Sequence, residues 1–126
     1  MSKSKVEKHF DKIAADYDYY KSKNSFYYQN LKKLLHSLIP SNKRVLEIGC
    51  DTGDLIASIK PKYGYGMDIS SEMIKIAKHK YSEKNLRFST KWPKEKFRLS
   101  LLFLNQDRRQ FWLATNNLLW KLQVDE

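Results

Sequence analysis

Two acidic residues and two glycines carry the most specific chemistry in this chain. Glu47 lies in a short apolar run, Arg44-Val45-Leu46-Glu47-Ile48, and Gly49-Cys50-Asp51-Thr52-Gly53 follows it directly. Small residues in such a turn let the backbone approach a ligand, and amides at the start of a following helix point toward it. Further on, Asp68 ends a second apolar run, Tyr63-Gly64-Tyr65-Gly66-Met67-Asp68. A carboxylate at a strand tip accepts hydrogen bonds from both hydroxyls of a ribose, worth about 2–3 kcal/mol when shielded from water. The spacing implies an adenosine-type nucleoside lying across two adjacent strand ends, where an open α/β sheet binds its ligand.

Two cofactor classes share this geometry. A dinucleotide needs G-x-G-x-x-G to admit its pyrophosphate. Here those positions are Gly49, Asp51 and Asp54, and two aspartates would repel a diphosphate. A phosphate-free cofactor carrying a cationic sulfonium and an ammonium suits Glu47, Asp51 and Asp54 better.

The elements that must hold these residues are legible around them. Residues 4–22 read as a helix, with Val6, Phe10, Ile13 and Tyr17 at helical spacing. Ser25 is a candidate N-cap for a second amphipathic helix carrying Phe26, Leu31, Leu34, Leu35 and Leu38, which Pro40 ends. The run 44–48 reads as a buried strand, Asp54 to Lys60 as a short helix closed by Pro61, and 63–68 as a second strand. Ser70 or Ser71 caps a helix to about Lys80, with Met73, Ile74 and Ala77 on one face, and Asn85 to Ser89 reads as a third strand. Strand, helix, strand, helix, strand is the order of a parallel α/β sheet.

Composition bounds the function. At 126 residues the chain makes one compact domain. No apolar stretch is long enough to span a bilayer and no apolar run follows the N-terminus, so a soluble, cytoplasmic protein is expected. Cys50 is the single cysteine, which excludes a disulfide framework and a cysteine-built metal site. The formal net charge of +10 is uneven: residues 1–44 carry ten basic and four acidic side chains, 45–80 five of each, and 81–126 nine and five. Such a surface is either a solvated lysine-rich face or a phosphate-binding one; no run of five like charges marks a nucleic-acid arm. His9, His36 and His79 show no metal-ligand spacing, and Cys50 has no partner pattern for a nucleophile. The tyrosines Tyr17, Tyr19, Tyr20, Tyr27 and Tyr28 fit helix packing or, alternatively, base stacking.

The segment Val45-Leu46-Glu47-Ile48-Gly49-Cys50-Asp51-Thr52-Gly53 resembles the first motif of class I S-adenosylmethionine-dependent methyltransferases. Tyr65-Gly66-Met67-Asp68-Ile69-Ser70-Ser71-Glu72-Met73-Ile74 is similar to the segment that follows it in that family. Phe10-Asp11-Lys12-Ile13-Ala14-Ala15-Asp16-Tyr17-Asp18 resembles the leader helix of its small-molecule members. The resemblance implies a Rossmann-like three-layer sandwich with a mostly parallel sheet behind N-terminal helices, and S-adenosyl-L-methionine as cofactor. It implies Glu47 near the methionine ammonium and Gly49 and Gly53 beneath the methionine and ribose, with the Cys50 backbone alongside. Asp68 would hold the ribose diol, Ile69 and Met73 flank the adenine, and Tyr17 cover the methyl donor. Ile69 and Met73 also suit an ordinary helix–sheet interface. The family's middle glycine is replaced by Asp51, a short polar residue that a turn tolerates.

Past Phe88 the resemblance stops. The acid expected after the third strand is missing from Ser89-Thr90-Lys91-Trp92-Pro93, and Arg98 stands where a fourth strand begins with an acid. Residues Asn105 to Glu126 read as a helix through Phe111, Leu113, Leu118, Leu119 and Leu122. These features suggest a truncated methyltransferase: a helical leader (1–43), a cofactor-binding βαβαβ unit (44–88) and an atypical tail (89–126), shifted in frame from about residue 89. Truncation predicts a last strand left as an exposed edge, with Leu101, Leu102 and Phe103 poorly covered and the chain prone to self-association. The expected function is methyl transfer to a small-molecule acceptor, with no general base identifiable. The alternatives are a non-enzymatic basic nucleic-acid-binding domain or an inactive product.

Overall fold

The computed structural model describes residues 2–40, 42–97, 99–102, 110–115 and 118–123. Two helices lead, α1 (Lys5–Ser22) and α2 (Ser25–Leu38), followed by β1 (Arg44–Ile48), α3 (Asp54–Ile59), β2 (Tyr63–Met67), α4 (Ser71–Lys80) and β3 (Leu86–Ser89). Then come β4 (Leu99–Leu102), β5 (Gln110–Thr115) and β6 (Leu118–Gln123). The six strands form one sheet in the order β3-β2-β1-β4-β5-β6. The pairs β2–β3, β1–β2 and β1–β4 are parallel, while β4–β5 and β5–β6 are antiparallel. The chain steps outward from β1 to β3 and then returns to the other side of β1. That reversal is the topological switch of a Rossmann-like sheet, and it opens the crevice at the C-terminal end of β1.

The alternation along each strand sorts the two faces. Val45 on β1 packs with Leu31, Leu35 and Ile39 of the α2 segment and with Leu55 and Ile59 of α3. Phe88 on β3 packs with Cys50, with Ile56 of α3 and with Ile74 and Ala77 of α4. Gly66 sits in register with Phe88, and a Cβ there would come within 2.7 Å of the ring. On the opposite face Tyr63 stacks on Phe97 at 5.9 Å, and the Tyr65 hydroxyl donates to the Lys91 carbonyl at 2.8 Å.

Ser4 caps α1 by accepting the Glu7 N–H at 3.1 Å, and Ser70 caps α4 by accepting the Met73 N–H at 3.1 Å. The cap of α2 is Asn24, one residue before the expected Ser25, and its side chain makes no capping bond. Along α1 the expected apolar face is covered only in part: Phe10, Ile13 and Tyr17 are half-buried. Val6 is 54% exposed, and the buried residues of the helix are Ala14 and Lys21. Asp11, Ala14, Asp18 and Lys21 recur at spacings of three and four, so a polar stripe faces inward.

The tail departs most from expectation. Residues 110–115 and 118–123 are strands, where a helix was expected. Positions 111, 118, 119 and 122 fit a helical face and 113 falls opposite it, but the runs Phe111-Trp112-Leu113 and Leu118-Leu119-Trp120 are also the compact apolar, aromatic-bearing type that a sheet accommodates. Consequently β4 is not an edge: β1 and β5 cover its two sides, and among the described residues the edge strands are β3 and β6. The expected self-association through β4 loses its basis, and Phe103 lies outside the described residues. No helix among the described residues is long and apolar enough to cross a membrane.

Candidate cofactor-binding site

The loop leaving β1 has a backbone few sequences can adopt. Gly49 and Gly53 have φ of 84° and 89°, and Asp51 between them has φ of 45°. The Gly49 and Cys50 amides both donate to the Met67 carbonyl, at 2.7 and 3.0 Å, which presses the loop against the end of β2. Gly53 is required twice over. Its φ is left-handed, and an added Cβ would lie 2.9 Å from the Phe88 ring. Asp51 manages its conformation with its own side chain, whose carboxylate accepts the Thr52 N–H.

Asp68 sits just beyond β2, 9% exposed. Its Oδ2 accepts the Asp51 N–H at 2.8 Å and its Oδ1 the Ser70 N–H at 2.9 Å. One carboxylate therefore fastens the two loops, and its orientation is set by backbone. The Ser70 hydroxyl, fully buried, donates to Asp11 of α1 at 2.6 Å. Glu47 is fully buried at the end of β1, and Cys50 is buried under the loop. Ile69 is 46% exposed, whereas Met73 is packed in the interior. Tyr17 is half-buried beside the Lys21 ammonium, which lies 5.4 Å from its ring centroid.

Sequence reasoning missed Lys21. Its ammonium comes from α1 and donates to Asp51 Oδ1 at 3.1 Å, Thr52 Oγ1 at 2.9 Å and Asp54 Oδ2 at 2.7 Å. Asp18 Oδ1 lies 3.3 Å away. Lys80, from the end of α4, bonds Asp18 at 2.7 Å and Asp54 at 2.6 Å, and the Tyr81 hydroxyl also donates to Asp54. Burial opposes the charge on Lys21, but Asp51 and Asp54 outweigh it and hold the lysine above its ordinary value. Burial likewise opposes the charge on Asp54, and Lys21, Lys80 and Tyr81 outweigh it, so that carboxyl lies well below the usual range. Asp51 and Asp54 are thus already paired with the chain's own lysines and do not simply await a cationic ligand. The available signal was the inward stripe of α1, two aspartates and a lysine at helical spacing around Ala14. Among the described residues no group of three or more His, Cys, Asp or Glu side chains is arranged to hold a metal.

A left-handed glycine loop after β1 and a strand-tip carboxylate after β2, on a sheet with a topological switch, define a Rossmann-like domain. Residues 19–117 match the profile of a methyltransferase-domain family. The chain belongs to the class I S-adenosylmethionine-dependent methyltransferase family, whose cofactor is S-adenosylmethionine. An uncharacterised protein of Methanocaldococcus jannaschii, MJ1252, is 36% identical over 78 residues, which are 60% of this chain and 29% of that protein. Streptomyces venezuelae DesVI superposes with a TM-score of 0.55 at 18% identity, covering 76% of this chain and 44% of DesVI. A chain in the complex of the Haloferax volcanii Trm112 methyltransferase activator with a methyltransferase gives 0.53 at 23% identity, covering 64% and 37%. These two likenesses speak to the fold. The chain spans less than half the length of each of the three proteins.

Proposed function

We propose that this chain forms the cofactor-binding part of a methyltransferase acting on a small-molecule acceptor, with residues 1–43 as leader, 44–88 as the cofactor-binding unit and 89–126 as tail. One observation carries most weight: Asp68 accepts the N–H of Asp51 at 2.8 Å, so the two glycine- and acid-bearing loops meet at adjacent strand ends. The residues fit an adenosyl ligand. Asp68 stands at the strand tip where a ribose diol would be held, its carboxylate oriented by the N–H groups of Asp51 and Ser70. The backbone at Gly49, Cys50 and Gly53 forms a low floor, and Glu47 supplies negative charge for an ammonium. Ile69 offers apolar surface to an adenine with Met73 behind it, and Tyr17 closes the side toward the methyl donor. When bound, S-adenosylmethionine supplies an electrophilic methyl group on its sulfonium. The chain's contribution is to orient that group for in-line attack, a gain in proximity rather than in acid–base chemistry.

Calorimetric titration with S-adenosylhomocysteine tests this. The wild type is expected to bind, and Asp68→Ala to weaken binding about 30- to 100-fold, the worth of a shielded charge-assisted pair. A folded wild type that ignores the ligand yet is retained on heparin until moderate salt would instead support a nucleic-acid-binding domain.

A further inference from the structure

Asp51 occupies a glycine's place with a φ of 45°, while its N–H donates to Asp68 and, with the Ser70 N–H, orients that carboxylate. A non-glycine residue in the left-handed region is disfavoured, so something must hold it there. Its side chain is anchored by Lys21, 30 residues away on α1, a lysine only 8% exposed. The three protons of that ammonium are taken by Asp51, Thr52 and Asp54, which bracket the turn on both sides. Thr52 passes the restraint on, donating its hydroxyl to Asp18 one helical turn before Lys21.

We propose that Lys21 is a positioning residue for the cofactor site: by gripping the Asp51 side chain it fixes the Asp51 N–H, and through it the carboxylate of Asp68. The inference rests on the proposed cofactor site. Lysine and aspartate then form a compensating pair: with aspartate at the glycine position the loop depends on the leader helix, whereas glycine would hold the same backbone unaided. Without Lys21, Asp51 would be a buried carboxylate facing Asp54 and Asp18 with Lys80 as the remaining cation of the cluster, and the turn would open to hydrate it.

The test compares wild type, Lys21→Met and the double variant Lys21→Met/Asp51→Gly. Two readouts are used: S-adenosylhomocysteine titration and hydrogen exchange of the amide at position 51. Lys21→Met is expected to weaken binding about tenfold, the coupling typical within one polar network, and to speed exchange at position 51 by a similar factor. The double variant is expected to regain affinity to within about threefold of wild type, because the buried charge and the strained side chain leave together. If Lys21→Met matches wild type in both readouts, the proposal is overturned. If Lys21→Met does not fold, the double variant decides. Recovered fold with recovered binding upholds the proposal, and a folded double variant that does not bind, or an unfolded one, overturns it. A folded wild type that does not bind at all removes the proposed cofactor site. The exchange arm then still separates the two: fast exchange at position 51 in Lys21→Met, slowed again in the double variant, upholds the grip on Asp51, and unchanged exchange rejects it.

Discussion

Gly53 shows how much a single missing side chain can decide. Its backbone turns at φ 89° to start α3, and the space where a Cβ would stand is filled by the Phe88 ring and the Ala77 methyl. An alanine pays both the left-handed conformation and the overpacking, so Gly53→Ala is expected to cost about 2–4 kcal/mol. Urea unfolding followed by circular dichroism would measure it. A change below 1 kcal/mol would mean that Phe88 moves aside easily. At the same scale, the places of Glu47, Gly49, Gly53 and Asp68 in the fold are legible because each follows a local rule: a strand end, a turn, a strand tip. Lys21 shows in the sequence only as one member of a polar stripe with Asp11 and Asp18, and the direction that stripe faces depends on where α1 lies, which helical spacing alone does not state.

The helix α1 is fastened at two points along its length. Near its start Asp11 accepts from Ser70 at 2.6 Å and pairs with Lys3 at 2.6 Å. Near its end Asp18 and Lys21 engage Thr52, Asp51, Asp54 and Lys80. Both fastenings land on loops that carry the candidate site, and both are ionic. The hydrogen bonds from Lys3 and Ser70 hold Asp11 below the ordinary carboxylate range. Burial works against Asp18, and its bonds to Lys80 and Thr52 prevail, lowering it also. With Asp54 depressed as well, the stability these acids supply is present above the unfolded value of about 4 and is lost as pH falls through their lower folded values. Lys21, raised, contributes fully below the unfolded lysine value of about 10.4 and loses that contribution as pH climbs beyond it. The melting temperature is therefore expected to be level from about pH 5 to 10 and to fall on either side. A scan across that range checks it, and a steady decline between pH 5 and 8 would contradict it. Element order from α1 to β3 could be read from periodicity, turn residues and the prolines. The tail could not: most of its apolar residues fit a helical face, yet they also form two compact runs separated by Asn116 and Asn117, and the sheet takes both runs.

At the scale of the whole molecule, charge and topology are partitioned. Residues 45–80, which supply both candidate loops, carry equal numbers of acids and bases within a chain of net charge +10. The sheet centres on β1, with parallel neighbours β2 and β4 on its two sides and the loop to α3 at its C-terminal end. Under that loop lies Cys50, 1% exposed, its Sγ 3.7 Å from the Asp51 carbonyl and packed with Phe88 and Ile56. It is also the single thiol in 126 residues, which gives the molecule a built-in clock. An alkylating reagent can reach that sulfur only while the loop is lifted, so each modified molecule records one opening. Saturating S-adenosylhomocysteine, at a hundred times its dissociation constant, should slow that clock by about a hundredfold if the lifted loop cannot hold the ligand. Reagent kinetics by mass spectrometry would read it directly, and an unchanged rate would place the ligand somewhere other than over Cys50.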